Sequence, residues 1–240
     1  MKKSVFLLIL ASAAILWGCK PTPVNISNVI TNLSISNRNV VADGTTVIYL
    51  SAQLNNQADA GKQSVIFTAS AGTFPGAKDT TITQAAVYSN GALVATVAWQ
   101  VPQQAVTVHF KATSAAPSPH QNFVLYDSVK VSSSVPSQIQ LATSAITIKP
   151  AWGSEILLTA TLKNSQNNNV STGYKVNFGG FYPDGTSVGG TYRAVRDTTD
   201  MTSTAIAYYS VGTVTGSFYV KCSVAGTPVV RDSVLINVSQ

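Results

Sequence analysis

Val41-Ala42-Asp43-Gly44-Thr45-Thr46-Val47-Ile48-Tyr49-Leu50-Ser51-Ala52-Gln53-Leu54 is the stretch that decides the fold. Its first half is turn chemistry: Ala42-Asp43-Gly44-Thr45 reads as a turn. From Val47 onward two sets of residues alternate. Ile48, Leu50, Ala52 and Leu54 point one way, and Val47, Tyr49, Ser51 and Gln53 the other. A period of two predicts a strand with one face turned into a core. Gly153 to Leu162 (GSEILLTATL) carries the same signal one residue shorter, so a repeat is weighed before anything else.

The pattern extends outward in both directions. Leu33-Ser34-Ile35-Ser36 precedes it; Val65 to Ser70, Leu93 to Trp99, Val106 to Ala112 and Val124 to Val131 follow, with turns at Gly72-Thr73 and Asn90-Gly91. About seven short strands in roughly 105 residues is the count of an immunoglobulin-like sandwich. Pro136 opens a second cycle. Val176-Asn177-Phe178 matches Val65-Ile66-Phe67, Lys221-Cys222-Ser223 matches Lys111-Ala112-Thr113, and Asp232-Ser233-Val234 matches Asp127-Ser128-Val129, at offsets between 105 and 111 residues. The expectation is an all-β chain of two tandem immunoglobulin-like β-sandwiches.

Composition agrees. Only 10 % of the 240 residues are charged, and Glu155 is the one glutamate; Ser, Thr, Asn and Val stand where a helical surface would use Glu, Lys and Arg. The formal charge is +6, and without Lys2 and Lys3 it is 13 basic against 9 acidic residues. These positives are scattered singly, which argues against nucleic acid as a partner.

Met1-Lys2-Lys3 is a short positive segment, and Val5 to Leu16 is a 12-residue apolar run, well short of the ~20 residues a transmembrane helix needs. Leu16-Trp17-Gly18-Cys19 resembles the lipobox of bacterial lipoproteins. The resemblance implies removal of residues 1–18 as a signal peptide, lipidation of Cys19 and attachment to a membrane through the N-terminal lipid. Residues 20–28 then read as a tether carrying Pro21 and Pro23, so that 19–28 forms the lipidated cysteine with its linker. Lys20, in place of an aspartate, resembles lipoproteins sent on to the outer membrane, on its surface or its periplasmic face.

Val41-Ala42-Asp43-Gly44-Thr45-Thr46, the strand to Leu54, Val65-Ile66-Phe67, Gly72-Thr73 and Asn90-Gly91 together resemble bacterial Ig-like domains of the invasin/intimin type. They cover most of 33–115; the second copy fits loosely, lacking the Asp-Gly-Thr turn. The resemblance implies one domain over 29–134 and another over 135–240. It implies a structural or adhesive module without catalysis or cofactor, with an unidentified protein or glycan as its ligand. The alternative is a carbohydrate- or protein-binding accessory subunit of a cell-envelope complex.

Chemistry is sparse. His109 alternates within a strand and His120 lies in a Pro-rich connector, with no HExxH, HxH or cysteine pair beside them, so no metal site is expected. There is no GxSxG elbow. Asp184, Asp197 and Asp200 suggest either loop oxygens for calcium or plain turn chemistry. Cys222 has no cysteine partner once Cys19 is lipidated, and its place in an alternating strand predicts a buried thiol. Tyr174, Phe178, Phe181, Tyr182 and Tyr192 crowd the second half with Trp152 upstream. Phe181, Tyr182 and Tyr192 are the candidate ligand contacts on a loop over 179–193, where rings can stack on sugars; the other reading puts such rings in the core. Gly179-Gly180 and Gly189-Gly190 read as loop flexibility. Four Asp-Ser/Thr motifs make Thr80, Ser128, Thr198 and Ser233 candidate O-glycosylation sites, by resemblance to a signal on exported bacterial proteins. The same residues also read as a turn aspartate followed by a strand start.

Overall fold

The alternation over Val47–Leu54 becomes a strand in the computed structural model, with Ile48, Leu50, Ala52 and Leu54 buried and Val47 and Tyr49 exposed. The structure describes residues 29–58, 61, 63–77, 79–115 and 124–239. Cys19, its signal and tether, and His120 lie outside them.

Nine strands come first: β1 (Ile30–Ile35), β2 (Val40–Val41), β3 (Val47–Leu54), β4 (Ser64–Ala69), β5 (Thr81–Ala85), β6 (Val87–Ser89), β7 (Ala92–Gln100), β8 (Thr107–Ser114) and β9 (Val124–Ser132). They form two facing sheets, in the orders β1-β3-β7-β6 and β2-β9-β8-β4-β5. The additional strands β2, β5 and β6 escape the sequence pattern because they are short or exposed on alternate residues, and short runs carry little periodicity.

A second sandwich follows: β10 (Gln138–Thr143), β11 (Thr147–Ile148), β12 (Glu155–Lys163), β13 (Val176–Phe181), β14 (Thr191–Arg196), β15 (Thr204–Ser210), β16 (Gly216–Val224) and β17 (Thr227–Val238). Its sheets run β10-β12-β15-β14 and β11-β17-β16-β13. One difference between the copies matters below. In the first, β5 pairs with β4 and covers its edge; in the second, no strand does this for β13, which stays an edge strand.

The two cores are built alike. Trp99 on β7 and Tyr209 on β15 are fully buried, and each packs on a phenylalanine of the opposite sheet: Trp99 on Phe110 with centroids 4.9 Å apart, Tyr209 on Phe218 at 5.3 Å. Each also carries a polar group that burial would leave costly without a partner. Trp99 Nε1 donates to the Ala71 carbonyl at 3.1 Å, and the Tyr209 hydroxyl donates to the Gly189 carbonyl at 2.6 Å. The residue after each acceptor is a glycine with positive φ: Gly72 at 75° and Gly190 at 119°. A Cβ on Gly72 would stand 2.5 Å from the Gln100 carbonyl, and one on Gly190 2.6 Å from the Tyr209 hydroxyl. Close approach of backbone to ring, rather than flexibility, requires Gly190. Gly179 and Gly180 likewise belong to β13 and not to a loop.

Ladder pairing corrects one repeat assignment. Ala112 and Cys222 stand opposite Phe67 and Phe178, so they occupy one equivalent rung. Across the next strand Ala112 faces Leu125, whereas Cys222 faces Asp232. Asp232 therefore sits two residues ahead of the equivalent of Asp127. The two carboxylates also do different things: Asp127 pairs with Arg38, while Asp232 accepts the Leu141 amide at 2.8 Å.

Candidate functional site

The buried polar residues of the described chain are Asp43, Gln103, Ser114, Ser134, Asn164, Ser171, Thr199 and Ser203, and all but Ser114 gather where the two sandwiches meet. From the first sandwich, Gln103 extends its amide into the second. Its Nε2 donates to the Val170 carbonyl at 2.8 Å and to Ser203 Oγ at 3.0 Å, while the Gln103 backbone carbonyl accepts the Thr172 amide at 3.1 Å. Ser171 Oγ donates to the Ala42 carbonyl at 3.0 Å. Between the sandwiches, Ser134 donates its amide to Ser171 Oγ at 2.8 Å and its hydroxyl to the Asn169 carbonyl at 2.8 Å, and Asn164 Nδ2 donates to Ser134 Oγ at 3.0 Å.

Asp43 is fully buried, and no cation among the described residues pairs with it. Its carboxylate accepts the Thr45 and Thr46 amides, the Thr46 hydroxyl and, across the joint, Asn168 Nδ2 at 3.3 Å. The Asp-Gly-Thr turn that marks the first sandwich in sequence is thus also half of the joint. A buried network with its donors and acceptors matched holds one geometry, because any other leaves groups unpaired. The Asn164–Thr172 segment, a plain polar loop in sequence, supplies the other half. Its signal is the density of Asn and Ser; its partners across the joint lie 30 to 129 residues away.

Grooves of about 490 Å³ and about 580 Å³ flank the joint. Tyr174 is the one titratable side chain lining either. Arg196 and Asp200 pair nearby at 2.8 Å. Burial opposes ionisation of Asp200, yet hydrogen bonds from Thr202 and Thr204 together with Arg196 outweigh it and hold its pKa at about 2. Asp197 pairs with Lys175 at 3.5 Å, and Asp184 accepts the amide and hydroxyl of Thr186 in a separate turn. Among the described residues no three His, Cys, Asp or Glu side chains gather as a metal site.

The candidate aromatic contacts are split. Tyr182 and Tyr192 are half-buried and pack against the second core, Tyr192 with its ring 4.6 Å from that of Tyr209. The Tyr192 hydroxyl has no hydrogen-bond partner among the described residues, and burial, with Tyr209 beside it, pushes its pKa up. Phe181 lies on the outer face of β13 under the Lys221 ammonium, 4.9 Å from its ring centre. Among the described residues the most exposed aromatic is Trp152, 84 % exposed in the turn before β12, beside Gly212, and it is not one of the three candidate contacts. Cys222 is buried, and burial pushes its thiol up to about 12. Ser128 and Ser233 are exposed on β9 and β17, and Thr80 and Thr198 are half-buried.

No protein-family model and no curated protein sequence matches the chain. Among solved structures, it superposes on the crystal structure of invasin, a bacterial integrin-binding protein, with TM-score 0.61 and 18 % identity over 87 % of this chain and 39 % of that one. The Yersinia pseudotuberculosis adhesin InvE aligns with TM-score 0.48 and 15 % identity, over 90 % of this chain and 61 % of that one. The D0-D1 domain of intimin aligns with TM-score 0.32 and 18 % identity, over 87 % and 98 %. The chain spans about two fifths of the invasin structure it matches. The fold is that of tandem bacterial Ig-like domains of the invasin type.

Proposed function

We propose that this chain is a non-catalytic surface lipoprotein: an acylated anchor at Cys19, a tether over 20–28, and Ig-like domains over 29–134 and 135–240 that act as a structural or adhesive module. The observation that carries the reading is the joint. Gln103, Ser134, Ser171 and Asn168 lock one sandwich to the next through buried hydrogen bonds, which suits a rod that holds its far end away from a membrane. The invasin-type fold supports the adhesive reading, and the lipobox-like Leu16-Trp17-Gly18-Cys19 supports the anchor.

The far end of the second sandwich carries the Trp152 turn, the 182–190 loop and the turn at Gly212, and the ligand is proposed to meet the protein on this sandwich. Adherence of bacteria carrying or lacking the protein to an immobilised panel of host and matrix proteins and glycans tests the reading. Adherence that depends on the protein and disappears with Cys19→Ala supports it. Equal adherence with and without the protein contradicts it. The accessory-subunit alternative predicts instead that crosslinking in intact cells captures one stoichiometric envelope partner.

A further inference from the structure

Ladder register on the second sandwich places nine residues in a grid on the outer face of β13, β16 and β17. Phe181, Tyr219 and Leu235 form one row; Gly179, Lys221 and Ser233 the next; Asn177, Ser223 and Arg231 the third. Strand spacing makes this patch roughly 10 Å by 14 Å. Each row has its own chemistry. The first is aromatic and apolar, with Tyr219 and Leu235 37 % and 40 % exposed. In the second, the Phe181 ring folds back over Gly179 and occupies the space above it. A Cβ there would meet that ring at 3.0 Å. The third offers an amide, a hydroxyl and a guanidinium. A groove of about 290 Å³ opens among Asn177, Gly179, Phe181, Lys221, Ser223 and Arg231.

Charge is one-sided. Neither Lys221 nor Arg231 forms an ion pair among the described residues. Lys221 instead rests over the Phe181 ring. No strand continues the sheet beyond β13, and that edge is capped at its two ends by the Val176 amide on the Asp197 carbonyl at 2.7 Å and the Val188 amide on the Gly180 carbonyl at 2.9 Å.

We propose that this face is a binding platform for an acidic saccharide, its carboxylate or sulfate held by Lys221 and Arg231 and a sugar ring seated against the row of Phe181, Tyr219 and Leu235. The proposal rests on the adhesive reading above and names its ligand class. Two cations separated by polar side chains match a chain with regularly spaced anions, and the guanidinium grips planar oxyanions bidentately. Sugar C–H groups carry partial positive charge and stack on the electron-rich face of a ring. Asn177, Ser223 and Ser233 supply donors and acceptors for hydroxyl groups. The exposed apolar row makes an acidic saccharide the better fit than a fully polar anion such as phosphate.

The test titrates the purified full chain, by calorimetry, with a heparin-derived hexasaccharide, with neutral maltohexaose and with polyglutamate of matched charge. The expected result is binding of the acidic hexasaccharide alone. Affinity should fall about tenfold or more in Lys221→Ala/Arg231→Ala, where the charge-assisted bonds are gone. Tyr219→Ala, which removes a ring of the apolar row while leaving both cations, should weaken binding as well, with an unchanged circular dichroism spectrum in both variants. Polyglutamate binding as tightly as the hexasaccharide, or undiminished hexasaccharide binding in both variants, overturns the proposal. So does absence of hexasaccharide binding to the unaltered chain. If bacteria displaying the protein still adhere when the hexasaccharide does not bind, the platform is wrong and the adhesive reading survives; if adherence is also absent, both fall.

Discussion

Gln103 Nε2 donates to Ser203 Oγ at 3.0 Å, so a side chain of the first sandwich is hydrogen-bonded inside the second. Ser203 in turn accepts the Val170 amide at 2.9 Å, and the Val170 carbonyl accepts Gln103 at 2.8 Å. Gln103, Ser203 and Val170 therefore form one closed unit. Gln103→Ala should cost about 1–3 kcal/mol in urea unfolding, the range for leaving a buried group unsatisfied. In a double-mutant cycle with Ser203→Ala the loss in the double variant should fall short of the sum of the two single losses by at least ~0.5 kcal/mol, as expected of residues in one network. Strict additivity would contradict a shared joint.

Gly190 and Gly185 both have positive φ, at 119° and 87°, but only Gly190 is crowded. Gly185→Ala should cost about 1–2 kcal/mol from backbone strain alone. Gly190→Ala adds a collision with the Tyr209 hydroxyl and the Ser210 carbonyl and should cost roughly 3–5 kcal/mol. Thermal melts of the two variants compare them directly. Equal shifts would contradict the close approach of Gly190 to Tyr209.

The pH dependence of stability near the joint follows from Asp200. Its pKa is held at about 2 in the folded chain against an ordinary 3.8, so the folded state prefers the carboxylate. That contribution is complete above the ordinary value and is lost as the pH falls from about 4 to about 2. Asp200→Asn should therefore lose less stability over that interval than the unaltered chain, in urea midpoints measured at successive pH values. Parallel pH profiles would contradict the hydrogen bonds assigned to Thr202 and Thr204.

Cys222 is buried with its thiol pushed up to about 12, which suppresses the reactive thiolate. Alkylation mapped by mass spectrometry to the Cys222 peptide should occur only across the unfolding transition in urea. Modification well below that transition would contradict its burial.

Much of this fold is legible in alternation. Val47–Leu54 and Glu155–Lys163 each place every second residue inside, and Asp43-Gly44 announces the turn before the first of them. The joint is not legible, for a physical reason. Gln103 and the Asn164–Thr172 segment have no periodicity, and their partners come from distant parts of the chain, so nothing local marks them as buried. Gly179-Gly180 misleads for the same kind of reason. A glycine pair reads as a flexible loop until the Phe181 ring and the Tyr192 hydroxyl appear over it, each 3.0 Å from where a Cβ would be. The aromatic candidates are mixed for a third reason. Phe181 ends a strand on its outer face, whereas Tyr182 and Tyr192 turn toward the second core, and composition alone does not separate the two.

Protease shaving of intact cells, followed by mass spectrometry of released and retained peptides, tests the central claim of a lipid-anchored module displayed outward. The account predicts that peptides beyond Asn28 are released while Cys19 stays with the membrane as a lipidated stub. Peptides that resist release until the outer membrane is opened, or a Cys19 peptide of unmodified mass, would contradict it.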